Sequence, residues 1–108
     1  MKVKAKLFYK KGEEFCELGV GVLKVESTGD QSVRLLLRNN TSVGKVILNI
    51  RVTKDIPISC KGNNVFVVCI PNPPLSKTPD DSPTTYLIRV KTPQLAEKLL
   101  TTTKDNLS

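Results

Sequence analysis

The stretch Thr85-Tyr86-Leu87-Ile88-Arg89-Val90-Lys91-Thr92-Pro93-Gln94-Leu95-Ala96-Glu97-Lys98-Leu99-Leu100 changes its rules in the middle. Residues 85–91 are rich in β-branched and aromatic types, the composition of a strand. At Thr92-Pro93 the pattern switches. Threonine is a good N-cap, and proline fits the first helical position because its missing N–H would be unpaired there anyway. Leu95, Ala96, Leu99 and Leu100 then share one face of a helix of about three turns. Thr101-Thr102-Thr103 is a poor helix interior and predicts fraying at the end.

Upstream of that switch, short alternating segments dominate. Val3, Ala5, Leu7 and Tyr9 alternate with Lys2, Lys4, Lys6 and Phe8, a strand with one apolar and one largely basic face. Lys11-Gly12-Glu13-Glu14 is a hairpin-like turn. Phe15 to Val25 reads as a long strand whose Gly19 and Gly21 mark a bulge, a bend or a close backbone approach. After the turn 27–32, Val33, Leu35 and Leu37 point one way and Arg34, Leu36 and Arg38 the other. Beyond the turn Asn39-Asn40-Thr41-Ser42, Val46, Leu48, Ile50 and Val52 alternate with Lys45, Ile47, Asn49 and Arg51. Ile58 to Cys60 is a short strand. Val65 to Ile70 is apolar on both faces, which predicts a central or covered strand. Pro71 to Pro83 holds five of the seven prolines and is a loop.

Seven strands followed by one amphipathic helix form a distinctive order. A lone terminal helix must bury its apolar face, and the surface available is an open end or edge of the sheet. The expected fold is therefore mainly β with one α-helix, a pleckstrin-homology-like seven-stranded barrel or sandwich capped by the helix. One domain over residues 1–104, with a short tail at 105–108, accounts for the 108 residues.

Composition narrows the function classes. There is no histidine, so the commonest general base is absent, and the three cysteines have no imidazole to activate them. Cys16, Cys60 and Cys69 lack metal-ligand spacing and are odd in number, which argues against zinc and disulfides and for a reducing compartment. Glu13-Glu14 and Asp80-Asp81 are adjacent carboxylates on loops, without the separation across a substrate that paired acid–base work needs. Gly19-Val20-Gly21 lacks the third glycine and the helix of a dinucleotide fingerprint. No enzyme activity, cofactor or metal is expected. Mean hydropathy is −0.15, and the longest apolar run is far shorter than the roughly 20 residues of a membrane span. Thr78-Pro79 and Ser82-Pro83 have the pattern of proline-directed phosphorylation sites.

The net charge of +7 suggests an acidic partner. If strands 33–38 and 45–52 pair as a hairpin, Arg34, Leu36 and Arg38 share a face with Lys45, Ile47, Asn49 and Arg51. Clustered cations beside apolar side chains suit an acidic peptide, and arginine adds bidentate recognition of carboxylates. Nucleic acid is not expected: Phe15 and Phe66 are placed like core residues, and the basic pattern lacks interleaved aromatics for base stacking. A phosphoinositide site would have to use Lys10, Lys11 and Lys24.

Several stretches together resemble one known family. They are Lys6-Leu7-Phe8-Tyr9-Lys10-Lys11, Gly19-Val20-Gly21-Val22-Leu23-Lys24, Arg34-Leu35-Leu36-Leu37-Arg38, Val43-Gly44-Lys45-Val46-Ile47-Leu48-Asn49, Val68-Cys69-Ile70-Pro71-Asn72-Pro73-Pro74 and Leu87-Ile88-Arg89-Val90-Lys91-Thr92. The resemblance is to the Ran-binding domains of the nucleoporin 50 family, and it spans essentially the whole chain. It implies a non-enzymatic module that binds Ran-GTP by holding the acidic C-terminal tail of that GTPase. Arg34, Arg38, Lys45, Asn49 and Arg51 are the residues expected to contact Ran. It further implies a nuclear pore location on the basket side, and work with importin-α and importin-β through a longer protein. No nucleic-acid or membrane contact is implied, and the domain is expected to be monomeric. Strong Ran binders of this type carry a tryptophan and basic residues before the glycine strand, where this chain has Phe15-Cys16-Glu17-Leu18. A second family tryptophan is replaced near Phe66. Each lost contact to an acidic partner weakens binding, so the affinity expected is about micromolar. Two alternatives on the same fold are a phosphoinositide-binding membrane module and a barrel that only docks onto neighbouring domains.

Overall fold

A computed structural model describes residues 1–73 and 83–107. The seven strands are β1 (Lys2–Lys11), β2 (Glu14–Ser27), β3 (Val33–Asn39), β4 (Val46–Val52), β5 (Ile58–Lys61), β6 (Asn64–Cys69) and β7 (Thr84–Arg89), followed by helix α1 (Pro93–Asp105). They form one antiparallel sheet in the order β4-β3-β2-β1-β7-β6-β5. The sheet curls into a half-barrel, and α1 packs against β5 and β6. This is the pleckstrin-homology-like architecture that the strand count and lone helix predict.

The alternation of each strand explains the core. Leu7, Leu23, Val33, Leu35, Leu37, Leu48, Val52, Val65, Val67 and Ile88 are fully buried on the concave side, joined by Leu99 from the helix. Burying each such side chain contributes roughly 1.5–3 kcal/mol. β2 must bend to bring these strands together. It carries a bulge at Leu18, where Leu7 faces Gly19 but Phe8 faces Glu17. Gly21 then passes so close to β3 that a Cβ there would lie 1.7 Å from the carbonyl oxygen of Arg38. Of the three readings of the glycine pair, close backbone approach is the one realised at Gly21.

The helix differs from its sequence expectation at one end. Thr92 caps its start, its hydroxyl accepting from the Leu95 N–H at 3.2 Å. The threonine run does not end it. Thr103 is fully buried, and its hydroxyl donates to the Leu99 carbonyl at 2.9 Å, so its polar atom is satisfied within the helix. Beyond the last turn, Leu107 returns to the core at 7% exposure.

Phe15 and Phe66 also depart from expectation. They pack against each other with ring centroids 6.2 Å apart, but on the outer surface, where Phe15 remains 39% exposed. β6 itself is one strand in from the edge, with Val65, Val67 and Cys69 buried and Asn64, Phe66 and Val68 half-buried. That matches a strand apolar on both faces.

One edge of the sheet is tied across the barrel. Asn72, just after β6, accepts from the Asn49 backbone N–H at 2.8 Å, and its side-chain amide donates to the Asn49 carbonyl at 2.6 Å. A single asparagine thus supplies β4 with the donor and acceptor that a further strand would offer. The Asn72–Pro73 peptide is cis. Asp80-Asp81, Thr78-Pro79 and Ser82 lie outside the described residues.

Candidate functional site

The outward face of β1 to β4 collects most of the charge. Register places its side chains in cross-strand rows. One row runs Lys2, Lys24, Leu36, Asn49; the next runs Lys4, Val22, Arg38, Val46; a third runs Glu26, Arg34, Arg51. Opposed residues on one face lie within about 5.5 Å at Cβ, so these rows form a continuous surface. Lys2, Val22, Lys24, Leu36 and Arg38 line a shallow depression of about 270 Å³ in it.

β3 and β4 pair as the hairpin that the sequence predicts. Arg34 lies directly across from Arg51, and Leu36 from Asn49. The pairing then slips: Leu37 faces Leu48 but Arg38 faces Val46, leaving Ile47 as a bulge. The slip changes the face on which residues before it appear. Val46 stands beside Arg38, while Ile47 packs against the core, its Cδ1 3.1 Å from where a Gly19 Cβ would sit. Lys45 is exposed just outside the strand, its carbonyl accepting from the Asn39 N–H at 2.8 Å. Arg34, Arg38, Asn49 and Arg51 therefore share one face, and Lys45 flanks it rather than continuing the row.

The cations on this face are not equivalent. Arg51 pairs with Asp30, and its Nε donates to the Ser32 hydroxyl at 2.8 Å. Lys24 pairs with Glu26 at 2.9 Å. That lysine, then Arg34 and Lys2, hold the Glu26 carboxyl below its ordinary range. Arg38 donates to the Gly44 carbonyl at 3.3 Å, a contact that positions it without neutralising it. Among the described residues no carboxylate pairs with Lys2, Lys4, Arg34, Arg38 or Lys45. Exposed cations held near one another without partners favour a polyanionic ligand, because each added carboxylate relieves repulsion as well as forming a pair.

Sequence reasoning missed the β1 and β2 part of the face. The signal was present, since the alternating Lys2, Lys4 and Lys6 already read as a basic face. Joining it to Arg34 and Arg38 requires knowing that β2 lies between β1 and β3. The same register separates the lysines considered for a phosphoinositide. Lys24 sits opposite Lys2, whereas Lys10 and Lys11 sit opposite Phe15 and Glu14, eight to nine residues along β1 and so about 26 Å or more away. Farther along, Lys6 and Arg89 both stack on the Phe8 ring, 5.8 and 4.9 Å from its centroid. Among the described residues no cluster of ligating side chains could hold a metal ion.

Residues 1–107 match the family model of the RanBP1 domain. The chain belongs to the RanBP1 domain family. It is 46% identical over 97 residues to nuclear pore complex protein Nup50 of Mus musculus, covering 89% of this chain and 21% of that protein. It is 38% identical over 89 residues to nucleoporin nup61 of Schizosaccharomyces pombe, covering 82% of this chain and 15% of that protein. This RanBP1 domain thus spans about a fifth or less of these relatives. Its fold superposes on the crystal structure of the Ran binding domain of Nup2 from Ashbya gossypii with a TM-score of 0.78 at 25% identity, covering 99% of this chain and 91% of that one. The resemblance read from the glycine strand, the Arg34–Arg38 strand and the proline-bounded strand is thereby borne out.

Proposed function

We propose that this RanBP1 domain is a protein-interaction module of a nuclear pore protein and that it binds Ran in its GTP-bound state. Family membership and the nucleoporin relatives support the partner. The observation that carries the binding mode is the outward face of β1 to β4, where Arg34 and Arg38 lie exposed beside Leu36 and Asn49 with no paired carboxylate among the described residues. On this reading Arg34, Arg38, Lys45, Asn49 and Arg51 hold the acidic C-terminal tail of Ran. Binding is weak, about micromolar, because Phe15-Cys16-Glu17-Leu18 supplies neither a tryptophan nor a cation, and Glu17 is itself occupied by Lys6 at 3.0 Å. The domain acts as a monomer at the nuclear basket, in a longer protein that works with importin-α and importin-β in transport.

Calorimetry against Ran loaded with a non-hydrolysable GTP analogue, and against Ran-GDP, at low and physiological salt tests this. GTP-selective binding that weakens with salt and falls at least about tenfold in Arg34→Glu or Arg38→Glu is expected. Equal binding of both nucleotide states, or a Kd below about 10 nM, would sink the reading. Loss of binding in neither variant would move the site off this face.

A further inference from the structure

At the opposite end of the sheet from β4, β5 is left with an open edge. Among the described residues β5 pairs with β6 alone, Ile58 opposite Val67 and Cys60 opposite Val65. The Val68 N–H donates to the Pro57 carbonyl at 3.1 Å, which fixes the phase of the ladder. In an antiparallel pair the bonded residues alternate, so Pro57, Ser59 and Lys61 turn their backbone groups toward β6. Ile58 and Cys60 turn theirs away. Among the described residues nothing hydrogen-bonds the backbone N–H or C=O of Ile58 or Cys60.

Next to that edge lies a cavity of about 370 Å³ lined by Lys54, Ile56, Ile58, Lys104 and Leu107. Its floor is aliphatic: Ile56 and Ile58 pack against the core from one side and Leu107 from the other. Among the described residues, both charged residues that line it are lysines, one on the β4–β5 connection and one in the last turn of α1. A strip of unused donors and acceptors, an apolar recess beside it and two cations at its margin fit one kind of ligand.

We propose that the β5 edge and this cavity form a second docking site, distinct from the cationic face of β1 to β4, for an extended acidic peptide segment of a partner protein. The peptide pairs with Ile58 and Cys60 as an eighth strand. One of its aliphatic side chains enters the recess, and neighbouring carboxylates meet Lys54 and Lys104. Main-chain pairing supplies affinity, and alternate side chains supply specificity. The cations select acidic sequences because desolvated like charges would be repelled there.

A short fluorescein-labelled peptide of alternating aspartate and leucine is the probe, with asparagine replacing aspartate in the control. Anisotropy gives affinity, and amide hydrogen exchange reports the contact. Exchange at Ile58 and Cys60 should slow at least about tenfold when the probe is bound, while the Asn49 amide is unaffected. The double variant Lys54→Glu/Lys104→Glu, and the asparagine control, should each bind about tenfold more weakly. Cys60→Pro removes one outward donor and leaves the β6 ladder intact; it should abolish probe binding with an unchanged circular dichroism spectrum. Should that variant unfold, the charge variant decides. Absence of probe binding, unaltered exchange at Ile58 and Cys60, or binding lost only in Arg34→Glu/Arg38→Glu would overturn the proposal. The Lys54→Glu/Lys104→Glu variant should bind Ran-GTP as the parent does. A parallel loss there would mean the lysines act through overall charge, which also overturns it.

Discussion

The two outermost strands of the sheet are finished in opposite ways. β4 is long, belongs to a half of the sheet with one charged face, and has its rim engaged by Asn72 at Asn49. β5 is only four residues long, is braced from the side by α1, and keeps the outward groups of Ile58 and Cys60 unengaged by any described residue. An unpaired strand edge invites adventitious pairing, and proteins usually blunt it. Here one edge is blunted by a local substitute for a strand, and the other by brevity and by flanking lysines. The first solution ties the end of the sheet to the chain just after β6, and the second leaves a place where something can still be added.

The largest test of this contrast concerns the helix. Leu99 is fully buried between α1 and the sheet, so Leu99→Ala should destabilise the domain by about 2–5 kcal/mol in urea unfolding. If β5 depends on α1 while β4 does not, amides of β5 and β6 should also exchange faster before those of β3 do. Uniform acceleration would mean the two ends unfold as one unit. Next comes the β2–β3 contact. Gly21→Ala pushes a methyl group into the Arg38 carbonyl, and the backbone must yield at a cost of about 1–3 kcal/mol. A neutral result would show that β2 can slide, and that the spacing of Arg38 from Val22 is loose.

A smaller effect is expected from Asn72→Ala, which removes one side-chain hydrogen bond to β4 and should cost about 1 kcal/mol. Its signature is faster exchange at Asn49 alone. If the amide stays protected, the backbone bond to Asn72 suffices and the side chain is dispensable. Least visible near neutrality is the pH response. Burial pushes the Cys69 thiol up to about 11 from 9.0, and burial, with the neighbouring Cys69, pushes the Tyr86 hydroxyl up to about 12 from 10.0. Both groups hold their protons more tightly folded than unfolded. Their contribution is intact below about pH 9 and is lost as pH rises through 9 to 12. Cys69→Ala should flatten the first part of that decline, and an unchanged slope from pH 9 to 11 would exclude Cys69 as its source.

What could be read in the sequence was what depends on neighbours along the chain. Val33, Leu35 and Leu37 alternate with Arg34, Leu36 and Arg38, and period two dictates which set is buried. Thr92-Pro93 announces the helix by local backbone chemistry alone. What could not be read depends on distant partners. Nothing within β1 says which β2 residues will lie between it and β3, so the basic row of β1 could not be joined to that of β3. Phe15 and Phe66 carry core chemistry, but they meet each other on the outside of the sheet, across two strands, β1 and β7, that lie between theirs in the sheet order. The threonines after Leu100 have low helix propensity, yet Leu107 and the bond from Thr103 to Leu99 hold the turn that contains them.

The bulge at Ile47 amounts to a shift of reading frame in space. From Asn49 onward, odd-numbered residues of β4 face outward; at Val46 an even-numbered one does. Labelling single cysteines in turn along 45–52 would therefore give an accessibility pattern that inverts its phase at residue 47. Deleting that one residue would cancel the inversion. It would leave Val46 across from Arg38 and Lys45 level with Asn39, where they already stand, and remove only the extra inward side chain. A length change of one residue, with no change in net charge, would thus straighten β4 while leaving the cationic rows in their present register.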